Sequence, residues 1–326
     1  MKVFKGYTQI LDECRGSAAA LGNFDGIHPG HIAVIDEARR EAGKRGAPLS
    51  VIAFEPHTRE FFQPDAPAFR LTSCMSKARV LEALGVDIFF VLPFDKNMAQ
   101  ESAEDFIRQI LVERLGIAHV VIGADFQFGR DRQGNADVLR QVGEPLGLTS
   151  TAIDLVVEEG TPGSPSVYSS TQIRGALRRG NIARAAEGLG RPWAMDGIVV
   201  EGDKRGRTIG FPTANVHMGH YIQPALGVCA VRVEIRDGPF AGLYDGVANI
   251  GNRPTFDKKG VVLEVHLFDF DGDIYGQEIF VYFIDYIRPE RKFDGLESLK
   301  TQIKADCATA REILASSPWK QHSLPL

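Results

Sequence analysis

Gly22-Asn23-Phe24-Asp25-Gly26-Ile27-His28-Pro29-Gly30-His31 decides the reading of this chain. The short apolar run Ala18-Ala19-Ala20-Leu21 precedes it, and a helical pattern begins at Ile32. Glycines let a backbone turn tightly and approach a ligand where a Cβ would intrude. The two histidines fall at or just before a helix start, where free N–H groups and the helix dipole favour anions. Strand, glycine loop and imidazoles at a helix N-terminus fit a phosphate site. They also fit a surface turn with solvated histidines.

Outward from this loop, the first half alternates strand and helix patterns. Strands are predicted over 49–54, 86–92, 119–122 and 151–157, and helices over 73–84, 102–115 and 135–142. Ser102, with Asp105 three residues on, reads as a helix cap. Strands buried on both faces and separated by helices predict a doubly wound parallel α/β sheet. Ligands then sit beyond the C-terminal strand ends, where the loops after Leu21, Phe54, Leu92 and Ile122 gather. After a loop over 160–166, helices are predicted over 169–179 and 181–189. Gly190-Arg191-Pro192 then marks a boundary between domains 1–190 and 191–326. Beyond it the period changes: strands over 197–200, 228–235, 246–250, 261–268 and 279–284 predict an antiparallel β-barrel, with a C-terminal helix over 296–314.

Composition narrows the class. The 326 residues are 44% hydrophobic and 24% charged, with a net charge of -5, as in a globular protein that does not grip nucleic acid by bulk charge. No apolar run approaches the roughly 20 residues that span a bilayer. Cys14, Cys74, Cys229 and Cys307 have neither zinc-ligand spacing nor the density of a disulfide framework. A cytoplasmic chain with reduced thiols, no membrane partner and no nucleic-acid partner is expected; its oligomeric state is not legible.

Four further stretches carry chemistry. In Ser169-Ser170-Thr171-Gln172-Ile173-Arg174, hydroxyls at a helix start precede an arginine one turn on, either an ordinary cap or a phosphate clamp. Asp125-Phe126-Gln127-Phe128-Gly129 and Phe54-Glu55-Pro56-His57 follow strand ends, so their aromatics either hold a flat ring system or belong to the core. The loop 202–210, with Gly202, Lys204, Gly206, Arg207 and Gly210, suits phosphates or a basic hairpin tip. Thr213 and Asn215, two apart in an extended segment, aim two neutral oxygens together and suit Mg²⁺. Glu264 interrupts the apolar run Val261-Val262-Leu263-Glu264-Val265, either on a solvated face or as a general base beside Thr213 and Asn215.

Taken in order, these motifs resemble the bacterial bifunctional riboflavin kinase/FAD synthetase family. The match runs from the Gly22 loop through Asp125-Phe126-x-Phe128-Gly129, Ser169-Ser170-Thr171, Gly210-Phe211-Pro212-Thr213-Ala214-Asn215 and Arg253-Pro254-Thr255-Phe256 to Glu264-Val265-His266 and Arg291-Lys292-Phe293. The resemblance implies an N-terminal nucleotidyltransferase that adenylylates FMN to FAD and a C-terminal flavokinase barrel that makes FMN from riboflavin, both using ATP. His28 and His31 would act at the α-phosphate, with Gly22, Phe24, Gly26, Ser169, Ser170, Thr171 and Arg174 holding the nucleotide. Phe54, Pro56, Asp125 and Phe128 would surround FMN. In the barrel, Thr213 and Asn215 would carry Mg²⁺ with ATP under the loop that includes Gly202, Lys204, Gly206, Arg207 and Gly210. Glu264 would be the base and Arg291 would lie near the flavin.

Two positions depart from the family pattern. Thr58 stands where a proline often follows His57, and Cys229 stands where a tyrosine often follows Gly227-Val228; the second is expected to be a packing change. Two rivals remain: an adenylyltransferase for another phosphorylated substrate with a regulatory barrel, and a nucleic-acid-binding barrel module.

Overall fold

The computed structural model describes residues 1–8, 11–158, 166–202, 206, 209–253 and 260–319. The first half runs β1 (Lys2–Lys5), β2 (Ala18–Leu21), α1 (Pro29–Arg45), β3 (Leu49–Glu55), α2 (Thr58–Phe62), α3 (Cys74–Ala83), β4 (Ile88–Pro93) and α4 (Lys96–Gln100). Next come α5, which opens at Ala103–Asp105 and widens to a π-helix over Phe106–Arg114, then β5 (His119–Gly123), α6 (Ala136–Gly143) and β6 (Thr149–Ile153). Ser102 caps α5 as its spacing predicts, its Oγ accepting the Asp105 N–H at 3.0 Å.

These strands form one parallel sheet in the order β1-β4-β3-β2-β5-β6. From β2 the chain winds outward through β3 and β4, then returns to β2's other side as β5. The topological switch point therefore lies between β2 and β5, and the loops leaving them flank the crevice where such sheets bind ligands. All four residues of β2 are at most 1% exposed, as expected for a central strand covered on both faces.

The remaining elements are β7 (Val157–Glu158), β8 (Ser166–Val167), α7 (Ser170–Arg178), α8 (Ile182–Leu189), β9 (Trp193–Val200), β10 (Ala214–His217), β11 (Gly227–Ile235), β12 (Gly242–Arg253), β13 (Gly260–Leu267), β14 (Glu278–Pro289) and α9 (Leu296–Ser316). Six of these strands close an antiparallel barrel, β10-β13-β12-β11-β14-β9, whose ends meet through β9 and β10. Alternation along each strand divides two apolar clusters. Met195, Val231, Ile250, Leu263, Val265 and Phe283 share one with Trp193, while Val228, Ala230, Val247 and Tyr282 meet Ala310 and Leu314 of α9 in the other. Cys229 is fully buried in the first.

By packing, the chain divides into Met1–Ala66 with Lys77–Ser169, and Pro67–Ser76 with Ser170 onward. The second unit is thus discontinuous in sequence. Its early segment is stitched to the barrel: the Trp193 indole donates to the Leu71 carbonyl at 2.9 Å, and the hydroxyls of Ser73, Ser76 and Tyr221 all donate to one Asp196 oxygen. Helices α7 and α8 also lie in this unit, with Ile173, Leu177, Ile182 and Leu189 in the cluster around Trp193.

Candidate functional site

The loop after β2 is held in costly backbone. Phe24 and Ile27 have φ of 49° and 44°, and Gly26 has 93°. A left-handed bulky or β-branched residue is an outlier costing roughly 1–3 kcal/mol, and such strain clusters at ligand sites. Burial holds it: Phe24, Asp25 and Ile27 are at most 3% exposed. His28 is the N-cap of α1 and Pro29 its first residue; the His28 carbonyl accepts the N–H groups of His31 and Ile32 at 2.8 and 3.0 Å. The two imidazoles stack with centroids 3.7 Å apart, and the Phe24 ring meets His31 edge-on at 5.3 Å. Gly30 leaves room for the His28 ring, since a Cβ would lie 3.1 Å from it and push it aside by a few tenths of an ångström. Gly22, Phe24, Gly26, His28 and His31 therefore form one compact turn, with the imidazole pair at a helix N-terminus. Sequence reasoning missed Lys77, 4% exposed, whose Nζ donates to the Asn23 carbonyl at 2.8 Å.

The expected flavin wall divides by burial. Phe54 packs on Phe94 and Phe106, and Phe128 on Phe106 and Phe126, all within the first unit's core. Pro56 and Asp125 are exposed at the strand ends. Phe61, Phe62 and Phe94 form an edge-to-face cluster with Phe62 64% exposed, an aromatic surface that no motif announced. In the second unit, Ser170 opens α7, Thr171 is exposed, and the Arg174 guanidinium donates to the Phe69 carbonyl at 2.8 Å while lying over that ring. Ser169 ends the first unit.

In the barrel, Asn215 and Glu264 are direct cross-strand partners, and Glu264 is also opposite Asn249 on β12. Leu263 and Val265 turn into the cluster around Trp193, so the alternation puts Glu264 on the barrel's other face. That explains the lone charge in an apolar run. The face is only partly solvated there, since Asn215 is 4% exposed. The chain beyond β9 covers it: a Cβ on Gly202 would fall 2.4 Å from Asn215 Nδ2 and 2.9 Å from its Oδ1, and one on Gly206 would lie 3.5 Å from Thr213 Oγ1. Gly210 turns with φ 88°. Lys204, Arg207 and the stretch Pro254-Thr255-Phe256 lie outside the described residues. Thr213 opens onto a cavity of about 250 Å³ lined also by Pro212, Ala214, Phe270, Asp271 and Tyr275. His266 Nδ1 lies 2.8 Å from the Pro212 carbonyl, which can only accept, so that nitrogen carries the hydrogen.

Arg291 lies over the Phe293 ring at 4.9 Å and donates to Gln302 of α9. Gln302 in turn donates to Asp306, which also receives Arg288 at 2.7 Å. Asn249, opposite Glu264, is likewise a polar residue in an apolar strand. Among the described residues no three His, Cys, Asp or Glu side chains converge on a metal site. The neutral oxygens of Thr213 and Asn215, cradled beneath two glycines, are a donor set that suits Mg²⁺ shared with phosphate.

Two family models match the chain: FAD synthetase over residues 11–167 and riboflavin kinase over residues 189–314. The bifunctional riboflavin kinase/FMN adenylyltransferase of Pseudomonas fluorescens is 41% identical over 318 residues, covering 97% of this chain and 99% of its own. That of Bacillus subtilis is 39% identical, covering 91% and 92%. A crystal structure from Streptococcus pneumoniae, described as a macrolide-efflux protein, is 32% identical with a TM-score of 0.81 and covers 95% of this chain and 99% of its own. No helix among the described residues is long and apolar enough to cross a membrane.

Proposed function

Because this chain belongs to the bifunctional riboflavin kinase/FMN adenylyltransferase family, we propose that its two activities occupy two separate sites, one around His28 and one around Glu264. The enzyme phosphorylates riboflavin to FMN and adenylylates FMN to FAD. The observation that carries the two-site reading is where the two candidate catalytic pairs fall. The imidazole pair lies in the unit built on the parallel sheet and the Asn215–Glu264 pair in the barrel unit, each with its own core.

In the kinase step, Glu264 takes the proton of the riboflavin 5′-hydroxyl as its oxygen attacks the γ-phosphorus of ATP, and ADP leaves. Thr213 and Asn215 would hold Mg²⁺, which neutralises phosphate charge when bound. The cavity beside Thr213 takes the nucleotide, with Gly202, Gly206 and Gly210 over its phosphates; Lys204 and Arg207 would supply positive charge to them, and Arg291 would contact the flavin. In the adenylyl step, an FMN phosphate oxygen attacks the α-phosphorus and pyrophosphate leaves. That nucleophile is already ionised, so the imidazoles of His28 and His31 act by hydrogen bonding to the phosphate oxygens as charge develops. Gly22, Phe24 and Gly26 form the nucleotide loop, Ser169, Ser170, Thr171 and Arg174 hold pyrophosphate, and Pro56 and Asp125 meet FMN, with Phe54 and Phe128 backing that wall.

By function the proposed division is 1–190 and 191–326, which gives α7 and α8 to the adenylyltransferase although they pack in the barrel's unit. The four free cysteines support a cytoplasmic location. Chromatography of incubations with riboflavin, ATP and Mg²⁺ tests the scheme. His28→Ala should let FMN accumulate without FAD, and Glu264→Ala should block FMN formation while supplied FMN still becomes FAD. Loss of both steps in either folded variant would refute two separate sites.

A further inference from the structure

We propose that Lys77 is a positioning residue of the adenylyl-transfer step, holding through the Asn23 carbonyl the strained turn that presents His28 and His31. This rests on the assignment of that loop to adenylylation. Local preference argues against a lysine at this position. Lys77 is the fourth residue of α3, within the first turn, where the helix dipole repels a cation. It is also 4% exposed, and burial disfavours an ammonium. A side chain that works against both terms needs a compensating contact, and the geometry supplies one across 54 residues of sequence: Nζ to the Asn23 carbonyl at 2.8 Å.

That carbonyl is well placed to govern the loop. Gly22, just before it, is tied to the sheet by its N–H on Ile52 at 3.1 Å, and the left-handed Phe24 follows directly. The turn then passes through Gly26 and the left-handed Ile27 to His28. With Asn23 fixed, the entry to this turn has one direction. Its exit is the α1 N-cap at His28, whose imidazole stacks on that of His31 with centroids 3.7 Å apart. Burial and the α1 cap keep the turn folded, so releasing the carbonyl loosens its entry and shifts the His28 imidazole against His31 without unfolding the loop. A misplacement of about 1 Å at reacting groups costs on the order of 100-fold in rate. A compact ammonium suits the role, because it can bond a single carbonyl without needing a planar partner.

Lys77→Met should lower kcat for FMN adenylylation by roughly 10- to 100-fold, with KM for FMN and ATP within about threefold, since positioning acts on the transition state. Riboflavin kinase activity in the same preparation and the melting temperature should stay near those of the unsubstituted enzyme. Lys77→Arg, which keeps charge and donors, should recover part of the loss. Unchanged adenylylation would overturn the proposal, as would a loss shared equally by the kinase step and accompanied by lowered melting. His28→Ala serves as the reference. If it leaves FAD formation intact, the loop assignment itself fails. If it abolishes FAD formation while Lys77→Met does not, only the role of Lys77 fails.

Discussion

Replacing Gly202 by alanine tests the proposed kinase cradle with one methyl group. The added Cβ would stand 2.4 Å from Asn215 Nδ2, 2.7 Å from its Cγ and 2.9 Å from its Oδ1. Non-bonded heavy atoms sit best at about 3.5–4.0 Å, so the amide must give way by about 1 Å. Asn215 is 4% exposed, and its strand is locked between β9 and β13, so the movement falls on the side chain. Gly202 lies outside the left-handed region, so its backbone accepts alanine without strain. A displacement of about 1 Å predicts roughly a 100-fold fall in kinase kcat, or about 2.7 kcal/mol of lost transition-state stabilisation. FMN formation from riboflavin and FAD formation from supplied FMN are followed in parallel by chromatography. The first should fall and the second should not. A Gly202→Ala enzyme with kinase kcat within threefold of the parent would refute the idea that this glycine makes room for a metal-holding Asn215.

Three further outcomes follow from particular contacts. Thr213→Ala should raise the Mg²⁺ concentration for half-maximal kinase activity by roughly tenfold, the scale of one lost oxygen contact, without changing that for adenylylation; an unchanged Mg²⁺ titration would remove Thr213 from the metal set. Asp306→Asn leaves Arg288, whose side chain is 17% exposed, without its carboxylate. It should destabilise the barrel unit by roughly 2–3 kcal/mol, read as a lowered midpoint in a denaturant titration; a midpoint equal to the parent's would show the pair to be dispensable. Burial, outweighing the nearby Glu41 carboxylate, holds the His119 imidazole below its ordinary pKa of 6.5. The unfolded chain therefore binds a proton that the folded one resists, and stability present above about pH 6.5 is lost as pH falls toward the depressed value. His119→Gln should flatten that part of the melting-temperature profile, and parallel profiles would exclude the group.

The elements that sequence revealed are those with a strong internal period. The run 49–54 and the helix 296–314 appear within a residue or two of their predicted ends, because burial of one face or both imprints the pattern. β1 escaped notice because none of its four residues is buried. Helices α2 and α4, five residues each, are too short to show a period. The candidate site residues at motif positions stand out because their types are unusual where they stand: glycines before a helix, or a carboxylate in an apolar strand. Lys77 was not, because a lysine in a helical pattern reads as solvated, and its burial depends on the distant loop that meets it. The ambiguity at Phe54 and Phe128 was real: aromatic character at a strand end does not say which side of the ring faces the core.

The stitching of Pro67–Ser76 to the barrel has a consequence for birth on the ribosome. Ser76 and Asp196 are 120 residues apart, about 6–24 s of synthesis at 5–20 residues per second. Throughout that interval Leu71, which is fully buried in the finished protein, has no Trp193 to meet, and the hydroxyls of Ser73 and Ser76 have no carboxylate. A nascent chain ending before Asp196 should therefore offer this segment to chaperones or proteases. Cutting the gene at the apparent linker would make that transient exposure permanent in one fragment, and would leave the other with an indole that lacks its acceptor.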